Sequence, residues 1–200
     1  MEAYNKFSLT HYAATVCKLM GIEAPACADE PLDWACDILS DLCKEGFDRV
    51  LIHNPDAVGM WLYQAYPDAF EPVLKHTQLT VPFKTVMPSV TPVCFGTMYT
   101  GAEPAVHGIQ SYTKPVIKID TFFDAVLRAG KKVAILATHG YEGAYATDPF
   151  EMGVQRLCKH SNLEYLGLYS VQDEDNLASF QTADAVAGAK AFARKCMERK

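Results

Sequence analysis

A threonine followed directly by a proline, Thr91-Pro92, is the pair in this sequence best suited to chemistry. Proline fits the first turn of a helix because the N–H that it lacks would have no helical partner there. We therefore expect a helix that starts at Pro92 and ends near Gly101, with Thr91 as N-cap and the amides of Val93 and Cys94 free behind it. A hydroxyl at that place lies where backbone donors and the helix dipole attract an anion, phosphate above all. A capped helix that binds nothing is the alternative.

The spacing around this pair matches a longer pattern. Residues 87–112 read MPSVTPVCFGTMYTGAEPAVHGIQSY: a Met-Pro pair, Thr91 three residues after that proline, a Thr-Gly nine residues further on, then Pro and His-Gly-Ile. This stretch resembles the nucleophile segment of the alkaline phosphatase superfamily, especially its type I phosphodiesterase and nucleotide pyrophosphatase members. The resemblance implies a metal-dependent hydrolase of a small phosphorylated substrate, with Thr91 as the nucleophile and His107 as a helix-end hydrogen-bonder. Tyr112 stands where many nucleotide-cleaving members carry Asn.

An earlier turn offers a metal ligand of the kind that this resemblance requires. Residues 48–53, DRVLIH, are predicted to form a strand, and NPDAVG follows as a turn, where open α/β sheets place their ligands. In that family the corresponding turn carries an Asp that binds the first catalytic metal. The resemblance therefore implies that Asp56, together with Thr91, holds zinc or manganese. An Asx turn after Pro55 is the alternative. The family's remaining Asp and His ligands do not appear after Ala137, which implies a catalyst that lacks most of its metal ligands.

The last third of the chain carries a second resemblance. From about residue 131, the segments KKVAILATHGYEGAYATDPFEMGVQRLCKHSNLEYLGLYSV and SFQTADAVAGAKAFARKCMERK resemble the C-terminal part of flavodoxin-like NAD(P)H-dependent FMN reductases. In that family the loop after the first of these strands approaches the flavin ring, which implies an FMN site at Thr138, Gly140 and Tyr141 and an oxidoreductase function. Two alternatives are a flexible glycine loop at this place and, for the whole chain, a non-catalytic chimeric scaffold.

These segments need a scaffold, and the order of elements predicts an α/β one. Strand-like apolar runs alternate with helical spacing, at residues 48–53, 78–87, 115–119, 131–137 and 163–171. We predict a doubly wound, mainly parallel sheet of about five strands with helices on both faces, a three-layer sandwich. Residues 1–200 would form a single domain, phosphodiesterase-like over 1–137 with a flavodoxin-like tail over 138–200. Thr121 and Asp124 are predicted to form a capping box.

Composition limits the partners. A net charge of -6 and a pI near 5.5 argue against nucleic acid, because binding phosphate backbones needs a basic face. No run is apolar enough to span a membrane, and the N-terminus has neither the basic start nor the apolar core of a signal peptide. The seven cysteines are scattered, which predicts reduced thiols in a cytoplasmic protein. Cys94 has two interpretations, a reactive thiol at a helix N-terminus and a core residue.

Overall fold

The structure, a computed structural model, describes residues 6–54, 58–113, 115–140, 146–160, 162–174 and 177–198. The chain divides into two compact units, residues 1–129 and 130–200, and each is described by itself. In the part of the chain that the structure describes, no helix combines the length and the apolar character that crossing a bilayer requires. The seven cysteines, all of which lie in the described ranges, are free thiols.

The first unit is built mainly from helices. In chain order these are α1 (His11–Leu19), α2 (Asp33–Leu42), α3 (Met60–Ala65), α4 (Pro67–Leu74), α5 (Thr91–Thr100), α6 (Pro104–His107) and α7 (Phe122–Arg128). Two short strands, β1 (Phe7–Ser8) and β2 (Phe83–Lys84), pair in parallel, with Phe7 opposite Phe83 and Ser8 opposite Lys84. The predicted capping box is confirmed at the start of α7, where the side chains of Thr121 and Asp124 each accept from the other residue's backbone amide.

Helices α1, α5 and α7 contact one another and form the core of this unit. Small side chains allow the close approach: Ala13 and Cys17 of α1, Thr97 of α5 and Ala125 of α7 are all buried. Interiors packed in this way leave little room for a side chain to move, because each volume change is felt by its neighbours. Helix α5 is therefore a fixed platform for the residues along it.

The Asp120 carboxylate joins α7 to the loop that follows α1. One of its oxygens accepts a hydrogen bond from Arg128 Nη1 at 2.6 Å, and the other accepts from the backbone N–H of Ala26 at 3.0 Å. The hydrogen bond from Arg128 is the main reason that the pKa of Asp120 lies below its ordinary value of 3.8. The ionised carboxylate therefore stabilises this junction.

We expect Asp120→Asn to lower the free energy of unfolding by about 1 kcal/mol at neutral pH, because a charged acceptor is lost. A depressed folded-state pKa contributes stability that is present above the unfolded-state pKa and lost as the pH falls through the folded value. Urea unfolding at several pH values should show the two proteins converging below the ordinary pKa of 3.8. Asp33→Asn, which removes an exposed ion pair with Lys18, should have a much smaller effect. Equal losses in both variants would contradict this prediction.

The second unit is a strand–helix–strand segment with a closing helix. Its elements are β3 (Lys132–His139), α8 (Asp148–His160), β4 (Glu164–Gln172), a 3-10 helix (Leu177–Phe180) and α9 (Ala183–Glu198). The two strands pair in parallel, with the extra residue of a bulge, Leu166, in β4 opposite the step from Val133 to Ala134. Both α8 and α9 contact β4. Tyr169 of β4 donates its hydroxyl to the carbonyl of Ala185 at 2.8 Å and stacks on Phe192. Thr182 caps α9 by accepting from the Ala185 N–H at 3.1 Å.

The prediction of a doubly wound sheet of about five strands in a three-layer sandwich is wrong. Among the described residues the strands form two separate two-stranded parallel sheets, β1–β2 and β3–β4. The predicted strands at 131–137 and 163–171 are present. Of the predicted strand at 78–87, only Phe83–Lys84 is in a strand, and residues 48–53 and 115–119 are not in one. A strand is stabilised by its backbone partner and by cross-strand side chains, so an apolar run alone does not make one.

The prediction that residues 1–200 form a single domain stays a prediction. A single unfolding transition of the whole chain, seen by different probes at the same denaturant concentration, would support it.

Candidate functional site

Thr91 lies in the first turn of α5, but it is not the N-cap. The N-cap is Val90, whose extended backbone (φ -120°, ψ 150°) places its carbonyl over the first turn. That carbonyl accepts hydrogen bonds from the amides of both Val93 and Cys94, each at 3.0 Å. The prediction of two free amides behind a capping threonine is therefore wrong, since the residue before Thr91 already uses them. Thr91 itself is half-buried and keeps contact with solvent.

A cleft of about 400 Å³ lies beside α5. Its walls come from α5 and from the chain after α6, and they include Thr91, Phe95 and Tyr99 on the helix and Ile109, Tyr112 and Ile117 beyond it. None of the described residues that line this cleft carries a charge. Its volume lies within the range of small-molecule sites, and the cleft is open to solvent. Thr91 thus supplies an aliphatic hydroxyl to a cleft that is otherwise apolar and aromatic.

Aromatic rings form the part of the cleft furthest along α5 from Thr91. Phe95 and Tyr99 stack with centroids 5.8 Å apart, and Tyr99 also contacts Phe123 at 5.0 Å. Asn54 donates its side-chain amide to the Tyr99 hydroxyl at 3.0 Å. Burial raises the pKa of Tyr99, although the bond from Asn54 acts in the opposite direction. The ring is therefore a neutral phenol at ordinary pH, held in place from two sides.

His107 lies behind the cleft, where only 4% of it is exposed. Its Nδ1 accepts the backbone N–H of Ile109 at 3.2 Å, and its Nε2 lies 3.0 Å from Thr97 Oγ1. Because Nδ1 is the acceptor, the proton of the neutral ring is on Nε2 and is donated to Thr97. The prediction that His107 makes hydrogen bonds at a helix end is confirmed.

Cys94 belongs to a small polar contact beside the core. Its Sγ lies 3.2 Å from Thr85 Oγ1, which is 3.4 Å from Ser89 Oγ. The half-buried thiol also packs against the hydrophobic cluster that contains Val93 and Ile109. Of the two interpretations of Cys94, the structure supports the core residue.

The proposed metal ligand Asp56 lies outside the described residues, so its distance to Thr91 is not assigned. Asn54, two positions before it, is the residue that reaches Tyr99. Within the described ranges, no three His, Cys, Asp or Glu side chains come together to hold a metal ion. The cleft lining contributes hydroxyl groups as its polar side chains. These residues do not fit a two-ion centre, which needs several carboxylate or imidazole ligands.

The residues predicted to bind FMN are in the second unit. Thr138 lies in β3 opposite Val171 of β4, and Gly140 follows the strand; both are exposed. A Cβ at Gly140 would meet no atom of the described residues within 4 Å. Tyr141 lies outside the described residues. FMN binding at this strand end stays a prediction.

Sequence reasoning missed the residues that shape the cleft. Phe95 and Tyr99 are four residues apart on a helix, a spacing that places two rings side by side and was available as a signal. No short sequence pattern indicates that Ile109 and Asn54 approach the same helix.

Comparison of the chain with protein-family models, with curated proteins and with solved structures finds no match in any of the three. The cleft and the motif around Thr91 are therefore the basis on which a function is proposed.

Proposed function

We propose that this protein is a phosphodiesterase- or pyrophosphatase-like hydrolase that binds a small phosphorylated ester in the cleft beside α5, with Thr91 as the nucleophile. The observation that carries this proposal is the position of Thr91, half-buried and lining the cleft in the first turn of α5. The proposal also draws on the motif around Thr91, which resembles a nucleophile segment.

The shape and chemistry of the cleft suit an ester with an apolar or aromatic group. A volume of about 400 Å³ accommodates a small organic molecule. The rings of Phe95, Tyr99 and Tyr112 offer surfaces for a flat group. The positive end of the α5 dipole lies at the Thr91 end, where it favours the negatively charged phosphoryl group. An ester bound along the helix would therefore place phosphorus near the hydroxyl.

In the proposed reaction, the Thr91 oxygen attacks phosphorus and gives up its proton, and the bond from phosphorus to the ester oxygen breaks. The ester oxygen leaves with the bonding electron pair, takes up a proton and becomes an alcohol, and a phosphorylated Thr91 remains. Water then attacks the same phosphorus, and the Thr91 oxygen leaves and recovers a proton from that water. A divalent ion, if held by Asp56, would supply positive charge that lowers the hydroxyl pKa. The described residues do not complete a two-ion centre, so the steps assigned to this chain are binding and attack.

A second candidate is ligand binding without turnover. It is favoured by the amides of Val93 and Cys94, which both donate to the Val90 carbonyl instead of pointing at a bound phosphoryl group. Donors aimed at the developing charge usually supply a large share of catalysis, so their engagement elsewhere argues for a slow or inactive site.

We expect Thr91→Val to abolish hydrolysis of bis(4-nitrophenyl) phosphate in the presence of zinc or manganese, with a loss of roughly 10³-fold or more. Valine keeps the branched shape and removes the hydroxyl. Thr91→Ser keeps the hydroxyl and should retain turnover within about tenfold. The measurement is release of 4-nitrophenolate at fixed metal concentration.

The two candidates give different outcomes in this experiment. An unchanged rate in Thr91→Val would remove Thr91 as the nucleophile. The second candidate, binding without turnover, would be supported if the unaltered protein does not hydrolyse the substrate but an NMR titration shows that diphenyl phosphate binds in the cleft.

A further inference from the structure

We propose that His107 positions the outer wall of the cleft and thereby makes ligand binding depend on the protonation of its imidazole. By outer wall we mean the cleft residues after α6, Ile109, Tyr112, Pro115 and Ile117. The proposal rests on the proposed function in one respect, that the cleft is the ligand site.

One ring connects the two walls. On the α5 side, the imidazole lies against Gly96, where a Cβ would come within 2.9 Å of Nδ1, and its Nε2 is 3.0 Å from Thr97 Oγ1. On the other side, Nδ1 accepts the N–H of Ile109 at 3.2 Å. Gly96 and Ile109 both line the cleft. The separation of these two lining residues therefore depends on the thickness and hydrogen bonds of this side chain, in addition to the packing of Ile109 against Val93 of α5.

Ile109 attaches the start of the wall to the core. It is 6% exposed and packs in a buried cluster with Val86 and Val93, against which Ile117 also packs. Tyr112, in contrast, is 73% exposed, so its position depends on the residues that anchor the wall on either side of it. The bond between Ile109 and His107 lies at the start of this wall.

Protonation of His107 at Nδ1 would break its hydrogen bond with the Ile109 N–H. A proton on Nδ1 would face the Ile109 N–H, placing two donors against each other. Gly96, Thr97 and the Ile109 amide, which the ring contacts, do not titrate. Among the described residues, the titratable groups on the adjoining elements are Cys94 and Tyr99 on α5, which contact Thr85 and Asn54, and two exposed residues, Glu103 before α6 and Tyr112 in the outer wall.

The direction of the effect follows from burial. Burial lowers the pKa of His107 below its ordinary value of 6.5. We call the wall closed when Ile109 donates to His107, as in the structure, and open when that hydrogen bond is broken. The closed wall therefore favours the neutral ring, and the open wall lets the ring bind a proton more readily. As the pH falls below the ordinary pKa, the closed arrangement loses stability relative to the open one. Ligand binding is accordingly strongest near neutral pH and weaker in acid.

Two substitutions separate the two hydrogen bonds. In His107→Asn the side-chain oxygen occupies the place of Nδ1, so it keeps an acceptor for Ile109 and cannot take up a proton in this pH range. In His107→Gln the amide nitrogen reaches toward the place of Nε2, so it keeps the donor to Thr97 and loses the acceptor. The probe is diphenyl phosphate without added metal, a phosphodiester whose charge is constant between about pH 5 and about pH 7.5.

In the unaltered protein, we expect the amide resonance of Ile109 to shift and the affinity for diphenyl phosphate to fall about tenfold between about pH 7.5 and about pH 5. His107→Asn should bind nearly as well as the unaltered protein at neutral pH and lose the pH dependence. His107→Gln should bind about tenfold more weakly throughout. Pro115→Ala, a wall residue without a part in the bond, should keep the full pH dependence.

Three results would overturn the proposal: an Ile109 amide that does not respond to pH, a His107→Asn protein with unchanged pH dependence, or a His107→Gln protein that binds like the unaltered one. Failure of the proposed function looks different. Absence of probe binding at any pH removes the cleft as the ligand site, while the pH response of the Ile109 amide still decides whether His107 holds the wall.

Discussion

Replacing Gly101 with alanine is expected to lower the free energy of unfolding of residues 1–129 by about 3 kcal/mol or more. Gly101 ends α5 with a left-handed backbone, φ 69°, which costs an L-residue about 1 kcal/mol or more. In addition, a Cβ there would lie 2.8 Å from Ala28 Cα and 3.1 Å from the Thr10 carbonyl oxygen. Both contacts are with backbone atoms, so neither is relieved by a side-chain rotation.

The Gly101 carbonyl also accepts the N–H of Asp29 at 2.9 Å, so a backbone shift that makes room for the methyl group strains this bond. The matched control is Gly21→Ala, at the end of α1. Its φ is similar, 63°, but within the described ranges a Cβ there would meet no atom closer than 4 Å. That variant should lose only about 1 kcal/mol.

Guanidinium unfolding followed by tryptophan fluorescence measures both variants, because the two tryptophans, Trp34 and Trp61, lie in residues 1–129. Equal losses in Gly101→Ala and Gly21→Ala would show that the close approach of the loop carrying Ala28 is absent in solution.

Gly96→Ala is expected to cost about 2–3 kcal/mol, even though alanine favours helix formation over glycine by about 1 kcal/mol. A Cβ at this position would lie 2.7 Å from Cε1 and 2.9 Å from Nδ1 of His107. The ring is buried and hydrogen-bonded at both nitrogens, to Thr97 and Ile109, so it has no free direction in which to move.

A double-mutant cycle tests whether this ring is the cause. Once His107→Ala has removed the imidazole, the added methyl group of Gly96→Ala fills empty space, and its cost should fall below about 1 kcal/mol. Additive losses in the double variant would mean that the clash lies elsewhere. Gly153→Ala, at a helical glycine of α8 where an added Cβ would meet no atom within 4 Å, should be neutral or slightly stabilising.

The predictions that hold for this chain concern helix ends and the strands β3 and β4. Gly101, predicted to stop the helix after Thr91, has the left-handed backbone of a helix terminus. Thr121 and Asp124 cap α7 as their spacing predicts. These signals are strong because the partners of a helix end lie within about four residues of it, so the sequence contains the whole interaction.

The predictions that fail concern strands and the first turn of α5. Residues 48–53 have the composition of a strand but are not in one. A strand forms its hydrogen bonds with a segment that is distant in the sequence, and the composition of the strand does not indicate whether such a partner is available. At Thr91 the predicted helix start differs from the observed one by one residue. This difference matters because the amides of Val93 and Cys94 donate to the Val90 carbonyl instead of being free behind Thr91.

The amino-acid order was sufficient to locate the C-terminal end of α5 and the capping box of α7, because each depends on neighbours a few positions away. It was not sufficient to show that Asn54 reaches Tyr99, that His107 ties Ile109 to α5, or that the strands pair only two by two in the described residues. The contact of Asn54 and the strand pairs join segments that are far apart in the chain, and the contact of His107 needs the turn after α5 to bring its ring back onto that helix. They form only when packing of the whole unit offsets the entropy of bringing such segments together, and no short motif encodes that balance.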